Sequence, residues 1–348
     1  MQVYKPLFGL CLTAVIITIA PLFWHIRHRN FPAIFLIFWT LIQCSFQLAC
    51  SIIWGGEDVE TMWDGHIFCD IDVKLLIGTG VGILGSVAAM ARHLAMIMCK
   101  SSLVYNTKAG RRKQLIYDIL FAFGTPIWIM SFHYLSQTNR YDIMQYSGCL
   151  ATVDNNYLSL FMLFIWTPIW GLVGCYYAGM TVYRYFLIRR EFREVLQSSQ
   201  SGLTVARFAR LLIFCYLVIG VSFPLSIYVF YLNCVAGFHA YSFEAVHSMM
   251  DFQTVRRYPA ESPLFDSWQG FVIAFLLFFF FGIGSDAIDM YRTWLVSLGF
   301  KRVFPKWKWL NQKPQSTGLT GLYGTGDESL ETKFGTMQAS ILQKSRAE

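Results

Sequence analysis

The stretch WDGHIFCDIDVKLLIGTGVGILGSVAAM, residues 63–90, joins a polar segment to an apolar one. Three aspartates and a lysine lie in its first twelve residues, and the sixteen residues after Lys74 carry no charge. An apolar run that approaches 20 residues is long enough to cross the hydrocarbon core of a bilayer as a helix. The stretch therefore predicts a membrane-spanning helix with a polar segment at one end.

The composition supports a membrane protein. Of the 348 residues, 55% are hydrophobic and only 14% are charged, whereas soluble domains carry about 25% charged residues. Apolar runs of spanning length recur along the chain, and a backbone in lipid must satisfy its own hydrogen bonds, which favours helices. We expect an all-α integral membrane protein, a bundle of seven transmembrane helices. The predicted spans lie near residues 7–26, 31–53, 75–98, 114–135, 158–183, 208–232 and 268–288.

Two regions are expected within the chain. Residues 1–300 form the predicted seven-span domain, and residues 301–348 form a cytoplasmic tail. Trp, Phe, Arg and Lys mix in residues 290–310, which is typical of a helix on the membrane surface. From residue 311 onward, the polar composition predicts disorder.

The charged residues orient the chain. The predicted loop 99–113 carries five Lys and Arg residues and no acid, whereas residues 54–72 carry six acids and no Lys or Arg. Basic residues are enriched in cytoplasmic loops. We therefore expect the N-terminus outside and the C-terminus in the cytoplasm.

Two cysteines lie in predicted outer segments. Cys69 precedes the third span and Cys149 follows the fourth, on the side where thiols meet an oxidising environment. We predict a disulfide between them, which would hold the second outer loop over the bundle. Two free thiols remain the alternative, because spacing alone does not fix connectivity.

Several functional classes are disfavoured. Residues 268–290 hold no lysine for a retinal Schiff base. Tyr117-Asp118 and GIGSD at 282–286 loosely match the paired motifs of intramembrane aspartyl proteases, but Ser285 interrupts the second. We find no motif for a catalytic site, metal site or cofactor, and expect no enzyme. What remains is a receptor, which the seven helices, the disulfide between outer loops, the basic inner loops and the prolines within spans favour. A multi-span transporter or channel is the alternative, although no internal repeat supports it.

Five stretches of the sequence carry a family resemblance: NFPAIFLIFW (30–39), WDGHIFCDI (63–71), GLTVARFARLLIFC (202–215), SFPLSIY (222–228) and FFGIGSDAIDMY (280–291). They resemble the corresponding stretches of fungal a-factor-type mating pheromone receptors, over about residues 5–300 and with matches in four of the spans. Those receptors are seven-helix, G-protein-coupled proteins of the plasma membrane. At residues 91–93 the chain reads ARH and lacks an Asp-Arg-Tyr motif, so a rhodopsin-like mechanism does not transfer.

The resemblance implies partners and an output. The ligand would be a secreted peptide whose C-terminal cysteine is farnesylated and methyl-esterified. Binding would activate a heterotrimeric G protein and, through it, the mating MAP-kinase response. Membrane lipids surround such a receptor, no nucleic acid is expected, and a homo-oligomer stays open.

Candidate ligand residues come from the polar segment that opens this section. We expect the lipid to enter a groove between spans near the outer leaflet, with the peptide on the outer loops. The loop 233–266 is a candidate lid, although its charges, taken singly, are more typical of a solvated surface loop. The candidate contacts in and beside the first outer loop are Trp63, Asp64, Asp70, Asp72 and Lys74.

Candidate signalling residues lie at the inner side. An ion pair between the sixth and seventh spans would make an inactive-state lock, and Pro224 would serve as a hinge. The positive-inside bias alone also explains the arginines. The candidates for this lock or for the G-protein contact are Arg92, Arg189, Arg190, Arg207, Arg210, Asp286 and Asp289.

Overall fold

The structure is a computed structural model that describes residues 5–56, 61–98, 107–188, 205–248, 252–264 and 266–297. Six helices in it are long and apolar enough to cross a membrane, and a seventh apolar helix is shorter. The prediction of a seven-helix membrane bundle is confirmed. The helices are α1 (Lys5–Arg27), α2 (Phe31–Ile53), α3 (Phe68–Ile97), α4 (Lys108–Ser136), α5 (Tyr157–Leu187), α6 (Val205–Ala236), α7 (Asp266–Gly282) and α8 (Ser285–Ser297).

The chain divides into two compact units, Met1–Trp294 and Leu295–Glu348. The first contains the bundle. The predicted cytoplasmic tail, residues 301–348, lies outside the described residues.

Helix α3 is the centre of the bundle. It is far more buried than the other spanning helices, and its small residues let its neighbours approach closely. A methyl group at Gly85 would collide with the backbone carbonyl of Phe121 in α4, and one at Gly82 would collide with the indole ring of Trp39 in α2. Small residues are the usual means by which membrane helices pack tightly. The glycine-rich run that predicts a span therefore also explains why this span is central.

A polar contact strengthens this packing. The indole Nε1 of Trp39 donates a hydrogen bond of 2.9 Å to the carbonyl oxygen of Ala122. Pro126, four residues later, has no N–H to donate to that carbonyl. Trp39 thus supplies a donor where the helix loses one, which ties α2 to α4.

Three of the helices contain a π-helical turn. These wide turns span Leu120–Gly124 in α4, Leu160–Phe164 in α5 and Phe278–Gly282 in α7. The first two lie just before Pro126 and Pro168, which interrupt the regular ladder of hydrogen bonds. Pro224 lies inside α6, and its role as a hinge stays a prediction.

The start of α3 differs from the prediction. The third span was expected from residue 75, but α3 begins at Phe68 and includes Asp70, Asp72 and Lys74. The carboxylate of Asp70 accepts a hydrogen bond from the backbone N–H of Ile67, at 3.2 Å. An acidic side chain in the first helical turn is stabilised by the exposed N–H groups there. Because the first residues of α3 include several polar ones, a search for apolar runs does not detect where the helix begins.

A small sheet covers one end of the bundle. Strands β1 (Asp142–Met144) and β2 (Gly148–Leu150) form an antiparallel hairpin in the connection from α4 to α5. Strand β3 (Arg256–Tyr258), from the connection between α6 and α7, pairs in parallel with β1. The sheet order is β2-β1-β3. Two connections that are far apart in sequence therefore form one structure, which the sequence analysis did not predict.

Candidate functional site

The disulfide attaches the sheet to the central helix. Cys69 in the first turn of α3 is bonded to Cys149 in β2, with the Cα atoms 5.4 Å apart, so the predicted pairing is confirmed. Both cysteines are buried in a cluster with Trp54, Tyr141 and Ile143. We call the hairpin, β3 and residues 61–67 the cap, and the end of the bundle beneath them the disulfide end.

Asp70 holds the cap and is not a free carboxylate. The guanidinium of Arg140 donates two hydrogen bonds to the carboxylate, one of them from Nε to Oδ1 at 2.7 Å. A paired guanidinium fork of this kind fixes orientation as well as distance. The hydrogen bond to Asp70 stabilises the charged guanidinium and so raises the pKa of Arg140 above its usual value. Arg140 also lies over the ring of Tyr141, with 5.7 Å to the centroid.

Asp64 and Trp63 are the accessible candidates. Asp64 forms an ion pair with Arg257 of β3, while its side chain remains 43% exposed. The side chain of Trp63 is 51% exposed and stacks on Trp54 with 6.1 Å between ring centroids. The Nε1 of Trp54 donates to the carbonyl oxygen of Trp63 at 3.0 Å. A held aromatic ring beside a carboxylate is a surface that a peptide can contact.

Asp72 is not part of that surface. The expectation that it lies in an outer loop is wrong, because it belongs to α3 and is only 6% exposed. Its Oδ2 accepts a hydrogen bond of 3.4 Å from the thiol of Cys50 in α2. Asp72 follows Asp70 by two positions, and on an α-helix this spacing turns the two side chains to nearly opposite faces. Asp70 therefore faces the cap and Asp72 faces the bundle interior.

Lys74 lies in a partly buried polar cluster. Its ammonium contacts Nδ1 of His133 at 2.7 Å and donates to Oε1 of Gln137 at 3.0 Å. The other nitrogen, Nε2 of His133, contacts the carbonyl oxygen of Thr152 at 3.2 Å. Because an ammonium only donates, Nδ1 accepts and Nε2 donates. Lys74 thus links α3 to α4 and, through His133, to the α4–α5 connection.

A mostly apolar cavity of about 270 Å³ lies below this cluster. Ile77 and Ile129 line it, each one helical turn further into the bundle than Lys74 and His133. Val153 lines it from the α4–α5 connection, and residues of α5, α6 and α7 complete the wall. The volume is near the lower end of the roughly 300–1,000 Å³ range of small-molecule pockets.

The opposite end of the bundle contains a buried ion pair. Nη2 of Arg92 in α3 lies 3.0 Å from Oδ1 of Asp118 in α4, and the two residues are 5% and 2% exposed. The guanidinium also lies over the rings of Tyr117 and Phe121, at 5.1 and 5.7 Å from their centroids. Sequence reasoning selected Arg92 but missed its partner. Asp118 entered the sequence analysis only as part of a protease-like motif, and no feature of the sequence connects it to Arg92.

The other signalling candidates are only partly described. Nη1 of Arg210 donates to the carbonyl oxygen of Phe280, at 3.4 Å, in the π-helical turn of α7. Arg184, which was not a candidate, donates to the carbonyl oxygen of Ala95 at 2.6 Å. The predicted pairing of Arg210 with a carboxylate of the seventh span stays untested. Arg189 and Arg190, and the side chains of Arg207, Asp286 and Asp289, lie outside the described residues.

Comparison with known proteins gives consistent relatives. The chain is 34% identical over 308 residues to the pheromone a factor receptor of Saccharomyces cerevisiae, which covers 88% of this chain and 65% of the relative. It is 28% identical over 290 residues to the pheromone B alpha 3 receptor of Schizophyllum commune, covering 80% and 45%. It is 24% identical over 287 residues to the pheromone M-factor receptor of Schizosaccharomyces pombe, covering 82% and 77%.

The chain thus spans less than two thirds of the length of the first two relatives. No solved structure matches it. The family model described as Pheromone A receptor matches residues 7–300, which include the helical bundle except the first two residues of α1. The chain belongs to the Pheromone A receptor family.

Proposed function

We propose that this protein is a G-protein-coupled receptor of the plasma membrane for a lipidated peptide mating pheromone. Binding of the pheromone activates a heterotrimeric G protein and the mating MAP-kinase response. The observation that carries the proposal is the family match over residues 7–300, together with relatives named as receptors for a factor and M-factor. The cap and the apolar cavity supply two surfaces suited to the two parts of such a ligand.

The disulfide end faces outside in this proposal. A disulfide is stable in an oxidising environment, which lies outside the cytoplasm. The end of α1, the turn after it and the start of α4 all lie at the opposite end. They carry the basic residues Arg27, Arg29, Lys108, Arg111 and Arg112. Basic residues favour the cytoplasmic side. The N-terminus is then outside and the C-terminus is in the cytoplasm.

The peptide part contacts the cap. Trp63 offers an exposed ring and Asp64 an accessible carboxylate. Asp70 and Lys74 act indirectly, because their charged groups are engaged with Arg140, His133 and Gln137 and maintain the shape of the cap. We leave Asp72 out of the contact surface, since it faces Cys50 in the interior.

The lipid part occupies the cavity between α3, α4, α5, α6 and α7. Burial of a lipid chain contributes roughly 0.8 kcal/mol per CH₂, so an upper bound near 10 kcal/mol applies to a farnesyl group. Val153, in the connection from the hairpin of the cap to α5, lines the cavity, and in this proposal one ligand extends from the cap into the cavity. The lipid then dominates the affinity, and the peptide supplies selectivity.

Signalling uses the basic end. Arg92 and Asp118 hold α3 to α4 there, and we propose that this ion pair stabilises the inactive state. Pro224 in α6 is the proposed hinge. The remaining candidates for the lock or the G-protein contact are Arg189, Arg190, Arg207, Arg210, Asp286 and Asp289.

A nucleotide-exchange assay tests the function. Membranes with this protein and a fungal heterotrimeric G protein are expected to bind GTPγS when a farnesylated, methyl-esterified pheromone peptide is added. The same peptide without its lipid should give little or no stimulation, because it loses most of its buried apolar surface. No stimulation by either peptide, with receptor and G protein both present, would contradict the proposal.

Filling the cavity is expected to weaken the response to the lipid. Gly80 lines the cavity, and a Cβ atom there would meet nothing within 4 Å. Gly80→Phe should raise the half-maximal pheromone concentration about tenfold or more, a loss of at least ~1.4 kcal/mol of binding. The measurement is a GTPγS dose response at matched surface expression.

Gly220 in α6 provides the matched control. It also has nothing within 4 Å of a Cβ position, but it is exposed on the bundle surface and does not line the cavity. Gly220→Phe should leave the dose response unchanged. Equal effects of the two substitutions would show that the lipid does not use this cavity.

A further inference from the structure

The inner end of the cavity assigned to the lipid, toward the basic end of the bundle, is formed by three helices. The innermost residues that line it are Leu84 in α3, Thr167 in α5 and Ser222 in α6. Asn233 is the outermost lining residue of α6, and from Ser222 to Asn233 the helix rises about 16 Å. A lipid chain that enters from the cap therefore reaches the end of the cavity within the bundle.

Further inward, α3, α5 and α6 meet at the side chain of Ile219. Ile219 precedes Ser222 by three residues in α6, so both side chains lie on the same face of that helix. Ala88 follows Leu84 by four residues in α3, with the same consequence. A Cβ atom at Gly174 in α5 would lie 3.0 Å from Cδ1 of Ile219 and 3.9 Å from Cβ of Ala88. Ile219 thus lies next to the innermost lining residue of α6 and against two neighbouring helices.

The packing of α5 on α6 holds Ile219 in place. A Cβ atom at Gly171 in α5 would collide with the ring of Phe223 in α6. The two helices are therefore in close contact beside Ile219, where the small residues Gly171 and Gly174 permit the approach. Ile219 is only 4% exposed, and a β-branched side chain in a helix has one strongly preferred rotamer. Its side chain is therefore fixed just beyond the inner end of the cavity.

We propose that Ile219 limits the length of the lipid chain that the cavity accepts. This role of Ile219 rests on the proposed receptor function, in which the free end of the lipid chain points into the bundle. A chain that is one isoprene unit longer than the cavity has to displace a closely packed side chain, and overpacking a well-packed interior is unfavourable. A chain that is one unit shorter buries less apolar surface. The farnesyl group is then preferred over its shorter and longer homologues.

The test compares one pheromone peptide with a geranyl, a farnesyl or a geranylgeranyl group, in membranes that contain the full chain and a fungal heterotrimeric G protein. The readout is the ratio of the half-maximal concentrations for GTPγS binding with the geranylgeranyl and the farnesyl peptide. A ratio cancels differences in expression and stability between variants. In the parent protein the ratio should be about ten or more. Ile219→Ala should lower it to about two or less, because the shorter side chain makes room for part of the added isoprene unit.

Leu211→Ala is the matched control. Leu211 is buried in the same helix, about two turns from Ile219 toward the basic end, and it does not line the cavity. Its truncation also removes buried apolar volume and should lower the melting temperature to a similar extent. The ratio in Leu211→Ala should equal that of the parent protein, because the inner end of the cavity is unchanged.

Ser222→Leu tests the same boundary from the cavity side. It adds apolar volume at the inner end and should shift the preference from farnesyl toward geranyl about fivefold or more. Where Ile219→Ala does not reach the cell surface, an unchanged preference in Ser222→Leu overturns the proposal.

Three further results would overturn it: a parent ratio near one, a ratio in Ile219→Ala equal to that of the parent, or an equal fall of the ratio in Leu211→Ala. In each of these cases, a response to the farnesyl peptide leaves the receptor function standing. No response of the parent protein to any of the three peptides would overturn both proposals.

Discussion

Replacing Asp118 with leucine is expected to lower the apparent melting temperature of the purified protein by roughly 6–20 °C. The substitution leaves the guanidinium of Arg92 buried without its counter-charge. Breaking a buried pair costs about 3–5 kcal/mol, and each kcal/mol corresponds to about 2–4 °C in a protein of more than 150 residues. The ring faces of Tyr117 and Phe121 do not replace the lost carboxylate.

The double variant separates stability from signalling. Arg92→Met with Asp118→Leu removes both charges and should recover most of the lost stability, because an apolar pair of similar volume is tolerated in such sites. If the ion pair is a lock, this stable double variant should show raised GTPγS binding without pheromone. Arg111→Met, at an exposed arginine of α4, is the control and should change neither quantity. Low basal binding in a stable double variant would restrict the pair to a structural role.

Removal of the disulfide should have the second large effect. Cys69→Ala with Cys149→Ala frees a connection between positions 80 residues apart in sequence. The loss of a native disulfide typically costs 2–5 kcal/mol, which corresponds to roughly 4–20 °C in melting temperature. The pheromone response should fall further than the surface level, since the cap that contacts the peptide loses its attachment to α3.

Cys234→Ala is the matched control, because this exposed cysteine is free. It should behave as the parent protein does. A dithiol reductant should lower the melting temperature of the parent and of Cys234→Ala, but not that of the double alanine variant. Insensitivity of the parent protein to the reductant would show that the disulfide does not stabilise the cap.

The local composition of the sequence was sufficient to predict the helices, but it was not sufficient to predict the cap. A spanning helix satisfies its hydrogen bonds within one apolar segment, so the segment itself carries the signal. Strands β1 and β3 are three residues each, and Asp142 pairs with Arg256 across more than a hundred residues. Such short strands depend on a distant partner and on the disulfide, neither of which leaves a periodic pattern.

The candidate site also contains features that the sequence predicted and features that it did not. The disulfide was predictable because two cysteines on one side of the membrane have few alternatives. The selection of the polar run of α3 as a functional site stays a prediction, and its residues face three directions: Asp70 faces Arg140, Asp72 faces Cys50 and Lys74 faces His133. Which direction each takes depends on where α3 begins, and that boundary was missed by seven residues. The partner of Arg92 lies in another helix and was not predictable at all.

The π-helical turns of α4, α5 and α7 bear on how related chains should be aligned. A turn of this type holds one residue more than an α-helical turn, so deleting one residue within it converts it to a regular turn and leaves both helix ends in register. Single-residue gaps among relatives are therefore expected at 120–124, 160–164 and 278–282. In the regular part of α3, the same gap would rotate every later side chain to another face. An alignment that opens a gap in α3 to preserve a match elsewhere misplaces the residues of the central helix.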